Sequence, residues 1–483
     1  MPMERREARS VAQGMSSPEV CEDGPFKGYA RLHWIEAAAR AKPDETAHAL
    51  MHHLNPANLR RALRELDGSK ATGVDRVTKR QYEEHLEDNI EKLHGALRGG
   101  GWRPKPSRQV LIPKPQGGMR PLAVGCLEDK VVQTLVARIL EALYEPIFSR
   151  QSFGFRRGKS AHQAVGRLHE TIRDRSDSCT VVEMDIEKFF DSMDHDWLMR
   201  KLEAKIADPH FLRLIRRLLR SSLLSEDGIK MSEVGTAQGS PVSPILANIC
   251  LHFLLDEWFQ EHFGAVGRMV RYADDAVFVF ADEATAETFR QALAARLAEA
   301  GLRLNLDKSG IVPFSKSNPR GTVGFLGFEF FWGRSAAGLK TLKVKTKPKR
   351  LGRSIQAFKE WVKVTRNRVK LDKLWGLARA KLQGHFGYFG VTYNEAKLNH
   401  FYHACVGLLF RWLNRRSQKR SFTWEQFEKR LRLSPLPSPP RGDDLKDITS
   451  ERSSSKHQPK SRMRKSRTSG SVRSAGRQRP AFT

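Results

Sequence analysis

Acidic residues are scarce in this chain. Fifty-four Asp and Glu stand against 84 Lys and Arg among 483 residues, a formal charge of +30. Such an imbalance argues against basic partners and predicts polyanionic ones, held with an affinity that falls as salt rises. Cysteine is also sparse. Cys21, Cys126, Cys179, Cys250 and Cys405 are scattered without a Cys-x-x-Cys pair, which excludes a disulfide framework or zinc module and fits a reducing cytosol. Long apolar runs are missing, so no membrane partner is expected. The most apolar stretch, Pro241 to Phe259, is interrupted by Ser243, Pro244, Asn248, His252 and Asp256 and reads as a buried helix. The first residues, Met1-Pro-Met-Glu-Arg-Arg, show no apolar segment of a secretory signal. His48, His52 and His53 lack a companion at ligand spacing and read as a solvated helix face.

The remaining pattern divides the chain. Residues 1–30 have no periodicity and are expected to be disordered. A second region, 31–170, opens with helices over 32–66 and 80–97 around a turn-rich loop, Gly68 to Asp75. Two strands about the Gly117-Gly118 turn follow, then a helix over 129–148. Region 171–335 mixes short strands with helices and contains an Ala-rich helix, 284–300, closed by Gly301. Region 336–432 is basic, helical and interleaved with aromatics such as Trp361, Trp375, Phe386, Tyr393, Phe401, Trp412 and Trp424. That mixture suits structured RNA, and equally a basic bundle with an aromatic core. Residues 433–483 are expected to be a disordered basic tail; 452–483 hold ten Lys or Arg and no acid.

The most informative residues are Tyr272-Ala273-Asp274-Asp275. Two β-rich apolar runs, 268–272 and 276–280, flank them, so the spacing predicts a hairpin with two adjacent carboxylates at its tip. Alone, this is an ordinary polar turn. A third carboxylate, Asp185, ends another strand-like run, Thr180 to Ile186. Three carboxylates on neighbouring strands suit two divalent ions clamping the attacking and leaving oxygens of phosphoryl transfer.

Seven segments in this order resemble the reverse transcriptase of bacterial group II introns, the intron-encoded maturases. They are Lys70–Asp75, Ile112–Leu122, Ser152–His162, Met184–Asp191, Thr236–Leu246, Tyr272–Asp275 and Gly324–Phe328. The resemblance implies an α+β right-hand polymerase, with fingers and an antiparallel palm, followed by an α-helical thumb or maturase domain. It makes Asp185, Asp274 and Asp275 the catalytic carboxylates. These would hold two Mg²⁺ ions, with Mn²⁺ as a substitute, helped by the carbonyl of Ile186. Lys114 and Arg120 resemble the cations on the incoming triphosphate, and Gln238 lines the nucleotide pocket. Phe190, in preference to Phe189, resembles the steric gate against a ribose 2′-hydroxyl. Lys308 resembles the lysine that protonates pyrophosphate, though a surface lysine there is also ordinary. Phe325, Leu326 and Gly327 resemble the primer grip. Arg411, Trp412, Arg415, Arg416, Lys419 and Arg420 fall in the segment with which the family grips intron RNA.

The expected function is therefore RNA-directed DNA synthesis together with maturase activity in splicing and retrohoming. The expected partners are a group II intron RNA, a DNA target or primer, and dNTPs, in the bacterial cytoplasm, as a monomer or homodimer. The Cys pairs of the family's HNH endonuclease are absent, resembling lineages that prime from existing DNA ends. The alternatives are a splicing-only maturase, or a reverse transcriptase of the retron, diversity-generating or CRISPR-associated class.

Overall fold

A computed structural model describes residues 20–448, apart from 22, 25, 114–117, 176–177, 226–227, 231–233, 318–320, 336 and 416–421. The first helices are α1 (Leu32–Ala41), α2 (Pro56–Glu65), α3 (Lys79–Glu83) and α4 (Leu86–Arg98). α2 starts at Pro56, with the Asn55 side chain accepting from the Asn58 N–H, and α3 starts in a capping box between Thr78 and Gln81. The single helix expected over 80–97 is thus two, and Asn89 Nδ2 donates to the Tyr82 carbonyl across the break. Then come β1 (Ser107–Pro113), β2 (Met119–Val124), the buried helix α5 (Leu127–Tyr144), α6 (Ala161–Arg173) and β3 (Ser178–Met184). After these run α7 (Phe189–Ser192), α8 (His195–Glu203), α9 (Pro209–Leu219), β4 (Leu223–Ser225) and β5 (Gly228–Lys230). α10 (Ser243–Leu251) passes through a π-helical turn, His252–Asp256, into α11 (Glu257–His262).

A hairpin of β6 (Gly267–Tyr272) and β7 (Asp275–Phe280) leads to α12 (Glu283–Ala298) and three strands, β8 (Gly310–Ser315), β9 (Val323–Phe325) and β10 (Phe328–Arg334). β11 (Lys340–Thr346) pairs with β10, so the helical region begins only at α13 (Pro348–Thr365), followed by α14 (Leu371–Phe389), α15 (Glu395–Leu413) and α16 (Trp424–Leu433).

The central sheet has the order β6-β7-β3-β8 and is antiparallel throughout. Successive strand residues face opposite sides, and here both sides are covered. Val181, Val277 and Val279 join one core with Val165 and Leu168 of α6. Val182, Met184, Phe278 and Phe280 join the other with Phe289 of α12. The strands therefore read as continuous apolar runs, leaving polar side chains at their ends. A second sheet, β2-β1-β4-β5, carries the 107–124 hairpin, and a third, β11-β10-β9, leads into the last helices.

Both ends of the described chain are more ordered than expected. Phe26, Tyr29 and Ala30 are buried, and Asn58 Oδ1 accepts from the Ala30 N–H at 2.7 Å. Residues 435–448, expected as tail, bury Leu436, Leu445 and Ile448 among the last helices. Hydrophobic anchors too few and too irregular to show periodicity account for both. His53 is not on a solvated face: it is buried, and desolvation lowers its imidazole pKa to about 4. No described helix is long and apolar enough to cross a membrane.

Candidate active site

Tyr272 pairs with Asp275, so Ala273 and Asp274 form a two-residue turn between β6 and β7. Ala273 has φ 57°, the left-handed value that primed hairpin turns need and that a Cβ disfavours by about 1–2 kcal/mol. The surroundings hold it there. Arg271, the penultimate residue of β6, is fully buried; its Nη1 donates to the Ala273 carbonyl at 3.0 Å and to Asn248 Oδ1 at 3.2 Å. Its Nε and Nη2 bind both Asp256 oxygens, at 2.7 and 2.5 Å. Asn248 in turn donates to the Gly154 carbonyl at 2.8 Å. Gly154 lies against the turn so closely that a Cβ there would sit 2.2 Å from the Ala273 nitrogen. Sequence reasoning missed Arg271, Asp256 and the role of Gly154. Its only signal was a charged residue inside an apolar strand run.

Asp185 follows β3 beside this turn. Its carbonyl accepts from the Asn305 N–H at 2.8 Å, and its Oδ2 accepts from Asn305 Nδ2 at 3.0 Å and Lys308 Nζ at 2.9 Å. Ile186 bridges Leu304 on the same loop and is buried. Lys308 is thus an ion-pair partner of Asp185 here.

Burial, with Asp274 and Asp185 close by, pushes the Asp275 carboxyl up to about 7, only partly opposed by a hydrogen bond from the Leu326 N–H. Burial and Asp185 also raise Asp274, against Arg120 and Arg271. Glu183 is raised by burial too, and accepts the Gly324 N–H at 2.5 Å. Three mutually repelling carboxylates with hard oxygen donors are a set that a divalent cation would relieve. Among the described residues, however, no three such side chains are closed into a ligand set, one Asp185 oxygen being turned to Lys308 and Asn305.

The 107–124 hairpin reaches this centre. The Ala123 N–H donates to the Gln238 carbonyl at 2.8 Å, Arg120 Nε donates to Gln238 Oε1 at 2.5 Å, and Gln238 Nε2 donates to Asp191 Oδ1 at 3.0 Å. Gly239 has φ 104° and lies under the Ala123 carbonyl, where a Cβ would be 3.0 Å from the oxygen. Phe189 is buried core, whereas Phe190 is half-buried, edge-on to Phe155, and lines a cavity of about 240 Å³ with Asp191, Pro121 and Gln238. Thr236 donates its N–H to the Phe190 carbonyl at 2.6 Å. Lys114 lies outside the described residues. Phe325 pairs with Phe328, making Leu326 and Gly327 a turn with both φ positive, 51° and 82°. That turn touches Asp275 through the Leu326 N–H.

Of the other segments, the loop 68–75 packs beside Ala123 and Gly239 of this centre, whereas no contact among the described residues brings Arg411, Trp412 or Arg415 to it. The loop 68–75 is tied down where Lys130 Nζ donates to the Ala71 carbonyl at 2.8 Å, Arg108 Nη2 donates to Thr72 at 3.2 Å, and Gly73 lies flat on Cys126. Arg411, Trp412 and Arg415 lie far along the chain at the end of α15, and the Trp412 ring carries Arg366, Arg415 and Lys363 at 4.7, 5.2 and 5.4 Å from its centroid. Arg416, Lys419 and Arg420 lie outside the described residues. Of the aromatics in this region, Trp375, Phe386, Phe389 and Phe401 are core, while Tyr393 and Trp424 are exposed.

Residues 112–330 match the family described as reverse transcriptase (RNA-dependent DNA polymerase). Over 174 residues the chain is 44% identical to an uncharacterized 91 kDa protein in a cob intron of Schizosaccharomyces pombe, covering 36% of this chain and 21% of that one. Over 169 residues it is 37% identical to the group II intron-encoded protein LtrA of Lactococcus lactis, covering 35% and 28%. Over 277 residues it is 28% identical to the protein YkfC of Escherichia coli, covering 50% and 73%. The chain thus spans under a third of the length of the first two relatives.

Proposed function

We propose, from the premise that residues 112–330 are a reverse transcriptase domain similar to those of intron-encoded proteins, that this chain copies RNA into DNA and also acts as a maturase on a group II intron RNA. The observation that carries the reading is that Asp274 and Asp275, on the hairpin turn, lie near enough to Asp185 to feel its charge, beside the Arg120–Gln238–Asp191 chain of hydrogen bonds. On this reading the sheet β6-β7-β3-β8 is the palm, the 107–124 hairpin the fingers, and α13–α16 the thumb.

The three aspartates would hold the metal, Mg²⁺ by donor type, with the Ile186 carbonyl assisting. When bound, the metal lowers the pKa of the primer 3′-hydroxyl and neutralises charge on the triphosphate. The chain's own groups do the rest. Arg120 presents a guanidinium suited to bidentate contact with phosphate oxygens, with Lys114 as a second cation. Phe190 faces the cavity beside Gln238, where a 2′-hydroxyl would meet its ring. Lys308, which pairs with Asp185 here, would serve as the proton donor to departing pyrophosphate. The turn at Leu326 and Gly327 would support the primer end. The +30 charge supports a nucleic-acid partner, and the basic end of α15, Arg411 to Arg415 and onward through Arg420, would contribute to gripping the intron RNA.

Extension of a DNA primer on an RNA template tests this reading. The wild type is expected to incorporate dNTPs in the presence of Mg²⁺, and Asp274→Ala to incorporate none. If both are inert while splicing of the adjoining intron is still promoted, the chain is a splicing factor instead.

A further inference from the structure

Tyr388, near the end of α14, is half-buried and reaches out of the helical region. Its hydroxyl donates to the Leu326 carbonyl at 3.0 Å, and its ring stacks on Phe328 with centroids 5.8 Å apart. Leu326 is the residue whose N–H donates to Asp275. The two peptide groups that flank the Leu326 Cα thus carry the thumb helix on one side and a catalytic carboxylate on the other.

Tyr388 is itself held from behind. Its carbonyl lies 2.7 Å from His162 Nε2 on α6, the helix under the central sheet. Lys446 Nζ donates to the neighbouring Gly387 carbonyl at 2.8 Å and lies 3.3 Å from His162 Nδ1. Lys446 belongs to residues 435–448, a strap that crosses from α14 to α6. The Trp375 indole donates to the Ser434 carbonyl at 2.7 Å, the Lys446 N–H donates to the Gly390 carbonyl at 3.0 Å, and the Ile448 carbonyl sits on Gly166, where a Cβ would be 3.2 Å away.

We infer that Tyr388, locked by this strap, is a positioning residue: it sets the turn at Leu326 and Gly327 against Asp275 and so registers the primer end with the metal-binding carboxylates. This rests on the polymerase reading above and adds how thumb and active site are coupled. The hydroxyl acts on the carbonyl of the same residue whose N–H holds Asp275, so its loss affects the chemical step more than strand binding.

The test is steady-state single-nucleotide addition on a DNA primer annealed to RNA, with full-length wild type, Tyr388→Phe, Lys446→Met and the double variant. Tyr388→Phe keeps the ring, so folding and the KM for primer–template should hold, while kcat falls about three- to tenfold, the equivalent of one hydrogen bond. Lys446→Met should lower kcat in the same sense, and the double variant should lose less than the product of the two. Unchanged kcat in Tyr388→Phe overturns the inference, as does a rise in KM for primer–template alone, which marks mere loosening of the thumb. If the wild type extends primers and Tyr388→Phe matches it, only this inference fails. If the wild type extends nothing, the polymerase reading fails first and carries this one with it.

Discussion

Replacing Asp256 by Ala is expected to damage the protein more than replacing any exposed acid, because it strands Arg271. Side-chain exposure is 0% for Arg271 and 1% for Asp256. Two hydrogen bonds, 2.7 and 2.5 Å, join them in a fork. Without the carboxylate, the guanidinium keeps only the Asn248 side chain and the Ala273 carbonyl, and its charge stays in the interior. Breaking a buried pair in this way costs about 3–5 kcal/mol, out of a total stability of about 5–15 kcal/mol. That corresponds to a rise in the unfolded fraction of about 10²- to 10³-fold or more. Urea titration followed by circular dichroism should show the midpoint fall. The companion is Asp256→Leu with Arg271→Met, which removes both charges at similar volume and should recover most of the about 3–5 kcal/mol lost in Asp256→Ala. Recovery of fold should not bring recovery of function, because the Nη1 donor to the Ala273 carbonyl is gone and the turn carrying Asp274 loses its anchor. A single variant within about 0.5 kcal/mol of wild type, the usual scale of surface changes, would refute the reasoning. So would a double variant that is no more stable than the single.

Phe190→Val should relax discrimination against ribonucleotides with little change in stability, whereas Phe189→Ala should cost about 3–5 kcal/mol because Phe189 is core; paired dNTP and rNTP incorporation assays and thermal melts separate the two, and equal discrimination in Phe190→Val and wild type refutes the gate. Asp275→Asn should abolish primer extension yet raise the melting temperature of the metal-free protein at pH 8. The folded pKa is raised to about 7, so the native state holds a proton that the unfolded chain has already lost, and wild-type stability falls as pH climbs from the ordinary carboxylate range through about 7. The gain from Asn should therefore shrink as pH drops towards 5, and Mg²⁺ should raise the wild-type melting temperature but not the variant's; a pH-independent difference counts against the buried charge. Ending the chain at Leu433 should destabilise the last helices, since Leu436, Leu445 and Ile448 are buried side chains worth about 1.5–3 kcal/mol each, whereas ending it after residue 448 should leave the melting temperature unchanged.

What was legible in the sequence was what short-range pattern encodes. The strand runs on either side of Asp274 and Asp275 stood out because both faces of the sheet are covered, so Val277, Phe278, Val279 and Phe280 are all apolar. The support of that turn was not legible. Asn248 and Asp256 looked like breaks in an apolar run, yet both point at Arg271. Their spacing of eight is the reason. Two α-helical turns take about 7.2 residues, and the π-helical turn at His252–Asp256 adds roughly one more. The two polar residues therefore share a face only because of a distortion that no 3.6-residue template anticipates.

The strap was illegible for a different reason. Its opening, Pro435-Leu-Pro-Ser-Pro-Pro440, has the composition of a disordered segment, and its buried residues recur at neither 2 nor 3.6. Prolines also lower the entropy that an extended segment loses on folding, so a strap rich in them can be ordered by few contacts. The contacts it makes are long-range: Lys446 with the 387–390 segment and with His162, which is 284 residues away. Local composition describes what the segment does alone, whereas its order comes from grooves built by α6, α14 and α15. Leu326 and His162 each sit in a segment that sequence pattern singles out, but what joins them is not local: the polar partners Tyr388 offers, its hydroxyl to Leu326 and its carbonyl to His162, are visible only once the two regions are placed side by side.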